Sequence, residues 1–271
     1  MFQDYRFRPS EVGRLMTGLN KGLTEKQIEL FTELHDKMKS GKITDKQIVT
    51  YGQLLEKKNQ KPQLSVGAKS FIEEKHKEVL FGKSKDITNK YLSKGIEVEE
   101  FSITLYSEVT KKLYLKNKET FKNDFLIGTP DNVQGKIRDI KSSWDFTTFP
   151  IHETEIPNQL YYWQLQAYMD LTNLTESELI YCLVDTPFQI IEDEKRRVSW
   201  KLGYIDLPDD LSEEIENNLT YSKIPKELRI KIFKVEKSES DIQLMHDVIK
   251  MARIYMDELS LNIANRIELI S

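Results

Sequence analysis

The chain has 271 residues, of which 39% are hydrophobic and 31% charged, and its formal net charge is −4. That suits one large or two small globular domains and excludes a global basic field, so any polyanion must meet a local basic patch. The single cysteine, Cys182, rules out an intramolecular disulfide and a thiolate cluster for zinc or iron–sulfur. It sits in an apolar run and reads as a buried, inert thiol.

Residues 1–9 are short and aromatic, with Arg6 and Arg8. Ser10 serves as a fair N-cap for a short helix carrying Val12, Leu15 and Met16. Thr24-Glu25-Lys26-Gln27 is a capping-box pattern and predicts a helix to about Ser40, stopped by Gly41. Thr44-Asp45-Lys46-Gln47 repeats the pattern, so the pair resembles an αα-hairpin. A basic, proline-bearing loop follows from Lys57 to Gln63, then a helix over about Ser65 to Val79 and a polar connection from Lys83 to Lys90. No internal repeat or low-complexity linker divides the chain. The expectation is one domain over 1–271, with a helical N-terminal part over 1–92 and an α/β core with a C-terminal helix over 93–271.

From about Lys94 to Leu113, Val98, Phe101, Leu105, Val109 and Leu113 follow helical spacing and predict one amphipathic helix. Glu99 leans toward its buried side, where an unpaired carboxylate is costly; the plainer reading is a border glutamate that reaches solvent. Strands are predicted at Leu113 to Lys116, Phe125 to Thr129 and Lys136 to Ser142. Lys111, Lys112, Lys116, Lys118 and Lys122, opposed only by Glu119, form the densest basic strip beside them and are the candidate contacts to the phosphates of a polyanion; a solvated loop, the common case for lysine runs, is the competing reading. Trp144 to Glu155 is an irregular loop. Pro157, at a predicted N1 position, opens a helix to about Leu171 with Leu160, Tyr161, Tyr168 and Leu171 as its apolar stripe. Gln164 lies within that stripe and needs a partner, either to hold structure together or to orient something in a site. A strand over about Glu178 to Val184, a charged helix after Thr186-Pro187, a strand over Arg229 to Val235 and a long helix from about Glu239 complete the order. The fold class is α/β with a mixed sheet.

The most informative stretch is Ile127-Gly128-Thr129-Pro130-Asp131 through Arg138-Asp139-Ile140-Lys141-Ser142-Ser143. A turn centred on Gly135 places Asp131 directly opposite Asp139, and strand alternation puts Asp139 and Lys141 on one face with Ile140 on the other. Like charges so placed are destabilising unless a cation sits between them, and a divalent metal is the usual candidate. The competing reading makes Asp131-Asn132 turn residues and Asp139 and Lys141 a solvated strand face.

Gly95-x-x-x-Glu99, Gly128-Thr129-Pro130-Asp131, Asp139-Ile140-Lys141 and Gln164-Leu165-Gln166-Ala167-Tyr168 occur in that order. Together they resemble the PD-(D/E)xK nuclease superfamily, and within it the lambda-exonuclease-like branch of phage recombination nucleases. The resemblance implies a restriction-endonuclease-like core, a central mixed β-sheet flanked by helices. It implies Mg²⁺ or Mn²⁺ held by Asp131, Asp139 and the backbone carbonyl of Ile140, with Glu99 holding water at the metal and Lys141 and Gln164 completing the catalytic set. Pro9-Ser10-Glu11-Val12 looks like the family's segment near its 5′-phosphate pocket, which implicates Ser10. Gln3 stands where the family has a basic residue, with Arg6 and Arg8 nearby.

The implied activity is a metal-dependent deoxyribonuclease, a 5′–3′ exonuclease on double-stranded DNA ends in phage-type recombination or replication. Restriction-like or structure-specific endonucleases, and a non-catalytic DNA-binding or assembly protein that keeps the fold, are the other readings; retention of Glu99, Asp131, Asp139 and Lys141 argues against the last. Cluster-bearing relatives need four cysteines, so no iron–sulfur cluster is expected. The resemblance also implies a homo-oligomer and a single-strand-annealing or recombination partner. No long apolar run and no signal-peptide pattern occur, so the expectation is a cytoplasmic protein without a membrane partner, host cytoplasm included if phage-encoded. His35, His76, His152 and His246 share no ligand spacing and read as surface or packing residues.

Overall fold

A computed structural model of the chain describes residues 2–19, 23, 25–59, 62–85 and 90–269. In chain order its elements are helices α1 (Pro9–Met16), α2 (Glu25–Lys39), α3 (Asp45–Asn59), α4 (Val66–Phe81), α5 (Lys90–Glu97) and α6 (Glu99–Thr110), and strands β1 (Phe121–Lys122), β2 (Ile127–Gly128) and β3 (Ile137–Ser142). Then come α7 (Gln159–Thr172), β4 (Glu176–Cys182), α8 (Phe188–Leu202), α9 (Asp209–Leu219), a 3-10 turn at Lys226–Arg229, β5 (Ile230–Glu236) and α10 (Glu239–Glu268). They fall into two compact units. One comprises Met1–Gln3, Arg14–Leu80 and Leu244–Ser271, the other Asp4–Gly13 and Phe81–Gln243.

In the first unit, α2 and α3 form the expected hairpin over a small cluster of Phe31, Leu34 and Leu54. The Gln47 side chain reaches back to the Thr44 amide at 3.1 Å, as a capping box requires, and Gly41 takes the left-handed conformation (φ 69°) that ends α2. Thr24, the predicted cap of α2, lies outside the described residues, as do Gln60 and Lys61 of the basic loop and residues 86–89 of the polar connection. Ser65 caps α4 through the Ala68 amide at 3.1 Å. His76, buried on α4, bonds Ser260 Oγ at 2.8 Å, and Tyr255 donates to Glu73 at 2.8 Å.

The second unit is built on a three-stranded sheet in the order β3-β4-β5, with β3 parallel to β4 and β5 antiparallel to it. A separate antiparallel ribbon joins β1 to β2. Ile140 and Ile180 point to one face and pack with Val98, Leu105 and Tyr106 around α6. On the other face lies α7, whose Tyr161 ring meets Tyr181 edge-on at 6.3 Å. Both β4 faces are covered, which explains its continuous apolar run.

Several predicted elements differ. The helix from Lys94 to Leu113 is two helices, broken at Val98 (φ −101°, ψ 8°). Phe101 and Leu113, assigned to its apolar stripe, are 65% and 75% exposed, whereas Ser102, Ile103 and Tyr106 are buried. A hydrophobic period that continues past a bend looks like one helix in sequence. Leu113 to Lys116 forms no strand: the Tyr114 amide is taken by Ser107 Oγ at 3.2 Å and the Leu115 amide by Gln134 Oε1 at 3.4 Å, so no ladder forms. The strand paired with β2 is β1, further along. Ser10 lies inside α1 rather than capping it. The Arg8 amide donates to the Glu11 carboxylate at 2.9 Å, which moves the cap to Arg8. Pro157 precedes the N-cap of α7: Asn158 is the cap, its side chain accepting from the Leu160 amide at 2.9 Å.

Candidate functional site

Strand β3 and the turn before it bring the two aspartates together. Gly135 holds φ 76°, which a side-chain-bearing residue adopts only at a cost. Asn132 and Arg138 exchange backbone hydrogen bonds of 3.2 and 2.9 Å across the turn, so Asp131 stands opposite Asp139, the register expected from symmetry about Gly135. Asp131 Oδ2 accepts the Ile140 amide at 2.8 Å. Asp139 is 1% exposed. Its Oδ1 accepts from Gln164 Nε2 at 3.0 Å, which gives the glutamine of α7 the partner its buried position demands. Its Oδ2 is buried without a directed hydrogen bond, and Lys141 Nζ lies 2.7 Å away. The same ammonium sits 4.8 Å above the Tyr161 ring.

Electrostatics follow from this geometry. Burial, then the charge on Asp139, push the Asp131 carboxyl up to about 7, outweighing Lys141 and the Ile140 amide, with Glu99 adding in the same direction. Burial works against the Lys141 charge, but Asp139 and Asp131 outweigh it and hold the ammonium above its ordinary value. Tyr168 is pushed up to about 12 by burial and by Asp139. Two close acids share one lysine, which leaves an excess of negative charge.

That excess fits a hard divalent cation. The donors are oxygens only, the buried Asp139 Oδ2 being met by Lys141 Nζ alone, and Mg²⁺ is commonly bound by one or two carboxylates with waters in its other positions. Among the described residues no three His, Cys, Asp or Glu side chains converge as a ready metal cage. Glu99, the first residue of α6, instead meets Lys116 Nζ at 2.5 Å. Gly95 and Glu99 therefore flank the break between α5 and α6 rather than sharing one helix.

The lysine strip divides. Lys116 is drawn to Glu99, and that hydrogen bond raises its pKa. Lys111 is the left-handed C-cap of α6 (φ 55°). Lys112, Lys118 and Lys122 are exposed and make no ion pair among the described residues. On the N-terminal side, Phe7 bridges Leu126 through backbone bonds of 3.1 Å to Phe125 and Ile127, which lays Arg8-Pro9-Ser10 along β2. Arg8, Ser10, Thr120, Gly128, Thr129 and Tyr168 line a cavity of about 420 Å³ there. A Cβ on Gly128 would lie 2.6 Å from Pro9 Cδ, so only glycine permits this approach. Arg6 is engaged elsewhere, its Nε donating to the Asn123 carbonyl at 2.6 Å.

Sequence reasoning missed the proximity of Tyr161 to Lys141 and the cavity role of Thr129. Tyr161 precedes Gln164 by three residues, so shared helix facing was the available signal. Cys182 is buried, and burial pushes its thiol up to about 12. Among the described residues no helix is long and apolar enough to cross a membrane.

No family model and no curated protein sequence matches the chain. Solved structures do. A phage-related exonuclease from Haemophilus somnus 129PT superposes with a TM-score of 0.66 at 22% identity, over 96% of this chain and 97% of that one. The chain shares the fold of that protein. The alkaline exonuclease LHK-Exo from Laribacter hongkongensis matches with a TM-score of 0.59 at 10% identity, over 99% of this chain and 96% of that one. LHK-Exo in complex with dAMP matches with a TM-score of 0.54 at 12% identity, over 76% of this chain and 88% of that one. The likeness is one of fold, and the expected α/β class with a mixed sheet and a restriction-endonuclease-like core stands.

Proposed function

We propose that the chain is a Mg²⁺- or Mn²⁺-dependent deoxyribonuclease that hydrolyses phosphodiester bonds at double-stranded DNA ends, with 5′–3′ polarity. One observation carries the reading: Asp131 and Asp139 face each other across the Gly135 turn, with the buried Asp139 Oδ2 2.7 Å from Lys141 Nζ and Oδ1 held by Gln164. Asp131, Asp139 and the Ile140 carbonyl would hold the cation, which supplies Lewis-acid activation of water and neutralisation of phosphate charge. Gln164 fixes the rotamer of Asp139, so the acid is oriented before any ligand arrives. Lys141, held protonated by the two acids, is suited to meet negative charge developing on the phosphate rather than to act as the base. Glu99 would order water at the cation once Lys116 releases it, and Lys116 is then free to meet a phosphate. Arg8 and Ser10, on the cavity beside Gly128 and Thr129, are placed to take a terminal phosphate, and Lys112, Lys118 and Lys122 to meet the duplex backbone. Arg6, already bonded to a carbonyl, has a positioning role in this scheme. In this reading the protein works in the cytoplasm, on DNA, as one nuclease chain over 1–271 that assembles with copies of itself and with a recombination partner.

The test is digestion of matched linear and circular duplexes, each labelled at a defined position, with Mg²⁺, Mn²⁺, Ca²⁺ or chelator. Cleavage of linear DNA alone, lost with chelator and in Asp139→Asn, supports the exonuclease. Cleavage of closed circles would favour an endonuclease. Duplex binding with no cleavage under any metal would leave a non-catalytic protein on a nuclease fold.

A further inference from the structure

A second site lies in the same unit, away from the aspartates. A cavity of about 560 Å³ opens between α6, the connection from β4 to α8 and the 3-10 turn before β5. That volume is within the range of specific ligand pockets. Its walls are mixed: Val98, Leu105, Val184 and Pro187 supply an apolar part beside charged and hydroxyl side chains, and Phe101 and Phe188 stand on its lining while remaining 65% and 74% exposed.

Two polar groups on this lining lack partners. Arg229 is 8% exposed, yet its guanidinium makes no hydrogen bond or ion pair among the described residues, and Nε is a buried donor with nothing to donate to. Thr186, 4% exposed, has an equally orphaned Oγ1. Buried charges are ordinarily paired, so an uncompensated arginine beside a cavity marks a missing anion. The acids on the lining do not supply it. Asp185 is consumed by the Tyr221 and Ser222 amides and the Ser222 hydroxyl, Glu108 is paired with Lys226 at 2.7 Å, and Glu97 is exposed.

We infer that this cavity binds the C-terminal carboxylate of a polypeptide whose last residue is apolar. Arginine pairs with a carboxylate in two parallel hydrogen bonds. A monoanion suits one arginine among acid neighbours, where a phosphate dianion would meet repulsion from Glu97 and Asp185. The apolar walls receive the terminal side chain. The two exposed phenylalanines select a polypeptide over a small free acid: a ligand confined to the cavity leaves them in water, whereas the residues before a C-terminus cover them.

The experiment measures fluorescence anisotropy of the full chain with a labelled pentapeptide ending in leucine with a free carboxylate, its C-terminal amide, and 3-phenylpropionate as competitor. The carboxylate peptide is expected to bind at least tenfold more tightly than the amide. Arg229→Met abolishes that preference while its melting temperature stays level or rises, because a buried unpaired charge has gone. Phe188→Ala, at an exposed position that folding does not need, weakens the peptide at least threefold and leaves phenylpropionate unchanged. Equal affinity of carboxylate and amide overturns the proposal, as does a preference that survives Arg229→Met. Phenylpropionate binding as tightly as the peptide would make this a small-molecule pocket and overturn the polypeptide occupant.

Discussion

The two faces of β3 handle charge in opposite ways. On the face toward α6, Arg138 donates to Tyr106, to Asn132 Oδ1 at 3.0 Å and to the Gln134 carbonyl at 2.8 Å, lies 3.4 Å from Glu178 and covers the Tyr114 ring. Tyr106 donates to Glu178 at 2.7 Å, and Lys136 bridges Glu176 and Glu178. Cations and carboxylates balance, and the network pins the Gly135 turn. On the face toward α7, one residue further along the strand, Asp139 and Asp131 share a single lysine, two carboxylates to one cation. A satisfied buried network specifies structure; a charge deficit at the end of such a network marks where a ligand belongs.

The largest effect expected from this contrast is on the deficient face. Asp131→Asn removes a proposed metal ligand and a like charge together, so cleavage should fall by about a thousandfold or more while stability is unchanged or rises by about 1 kcal/mol. Single-turnover assays and thermal melts on one preparation check both, and wild-type turnover would remove the metal assignment. On the balanced face the order reverses. Arg138→Met takes a buried cation from Glu178 and a donor from Asn132 Oδ1 and should cost about 3 kcal/mol in urea unfolding. Activity per folded molecule should fall far less than in Asp131→Asn, and a loss as large would mean that the two faces are not separable.

Lys94 sharpens the comparison, because it is a cation with neither solution. It is 1% exposed and donates to the Trp144 carbonyl at 2.6 Å. Burial lowers its pKa from 10.5 to about 8, against the raising influence of Asp145 and Asp185. The unfolded state therefore holds a proton that the folded state releases between those values, and stability should rise with pH from about 8 toward 10.5, by about 3 kcal/mol at most. The penalty is full below pH 8. Comparing wild type with Lys94→Met between pH 7.5 and 9.5 isolates it, since the variant should lack the rise; parallel curves would refute the assignment.

The smallest effect concerns the exposed lysines. Changing Lys112, Lys118 and Lys122 together to Gln should flatten the log–log salt dependence of duplex binding by about 0.9 for each phosphate no longer neutralised. Ca²⁺ in place of Mg²⁺ permits the measurement without turnover. An unchanged slope would return the strip to a solvated loop.

Much of this protein is local and was legible as such. Alternation put Asp139 and Lys141 on one face, glycine fixed the turn at Gly135, and caps marked the start of α3 and the end of α2, because each depends on a few neighbouring residues. The mixed sheet followed from the order of elements. Tertiary structure alone decided the rest. Nothing within the sequence period distinguishes one helix over 94–113 from two helices bent at Val98, since the bend serves to bury Lys94 and Val98 against distant residues. Lys116 read as a phosphate-binding cation, yet Glu99, seventeen residues earlier, claims it. Gln164 needed a partner that sequence could not name, and the fold supplies Asp139 from twenty-five residues away. Arg229 read as the first residue of a strand; its unpaired burial exists only once β4, α6 and the turn before β5 enclose it. Such pairings depend on which surfaces meet, and that is set by packing of the whole unit rather than by any run of its residues.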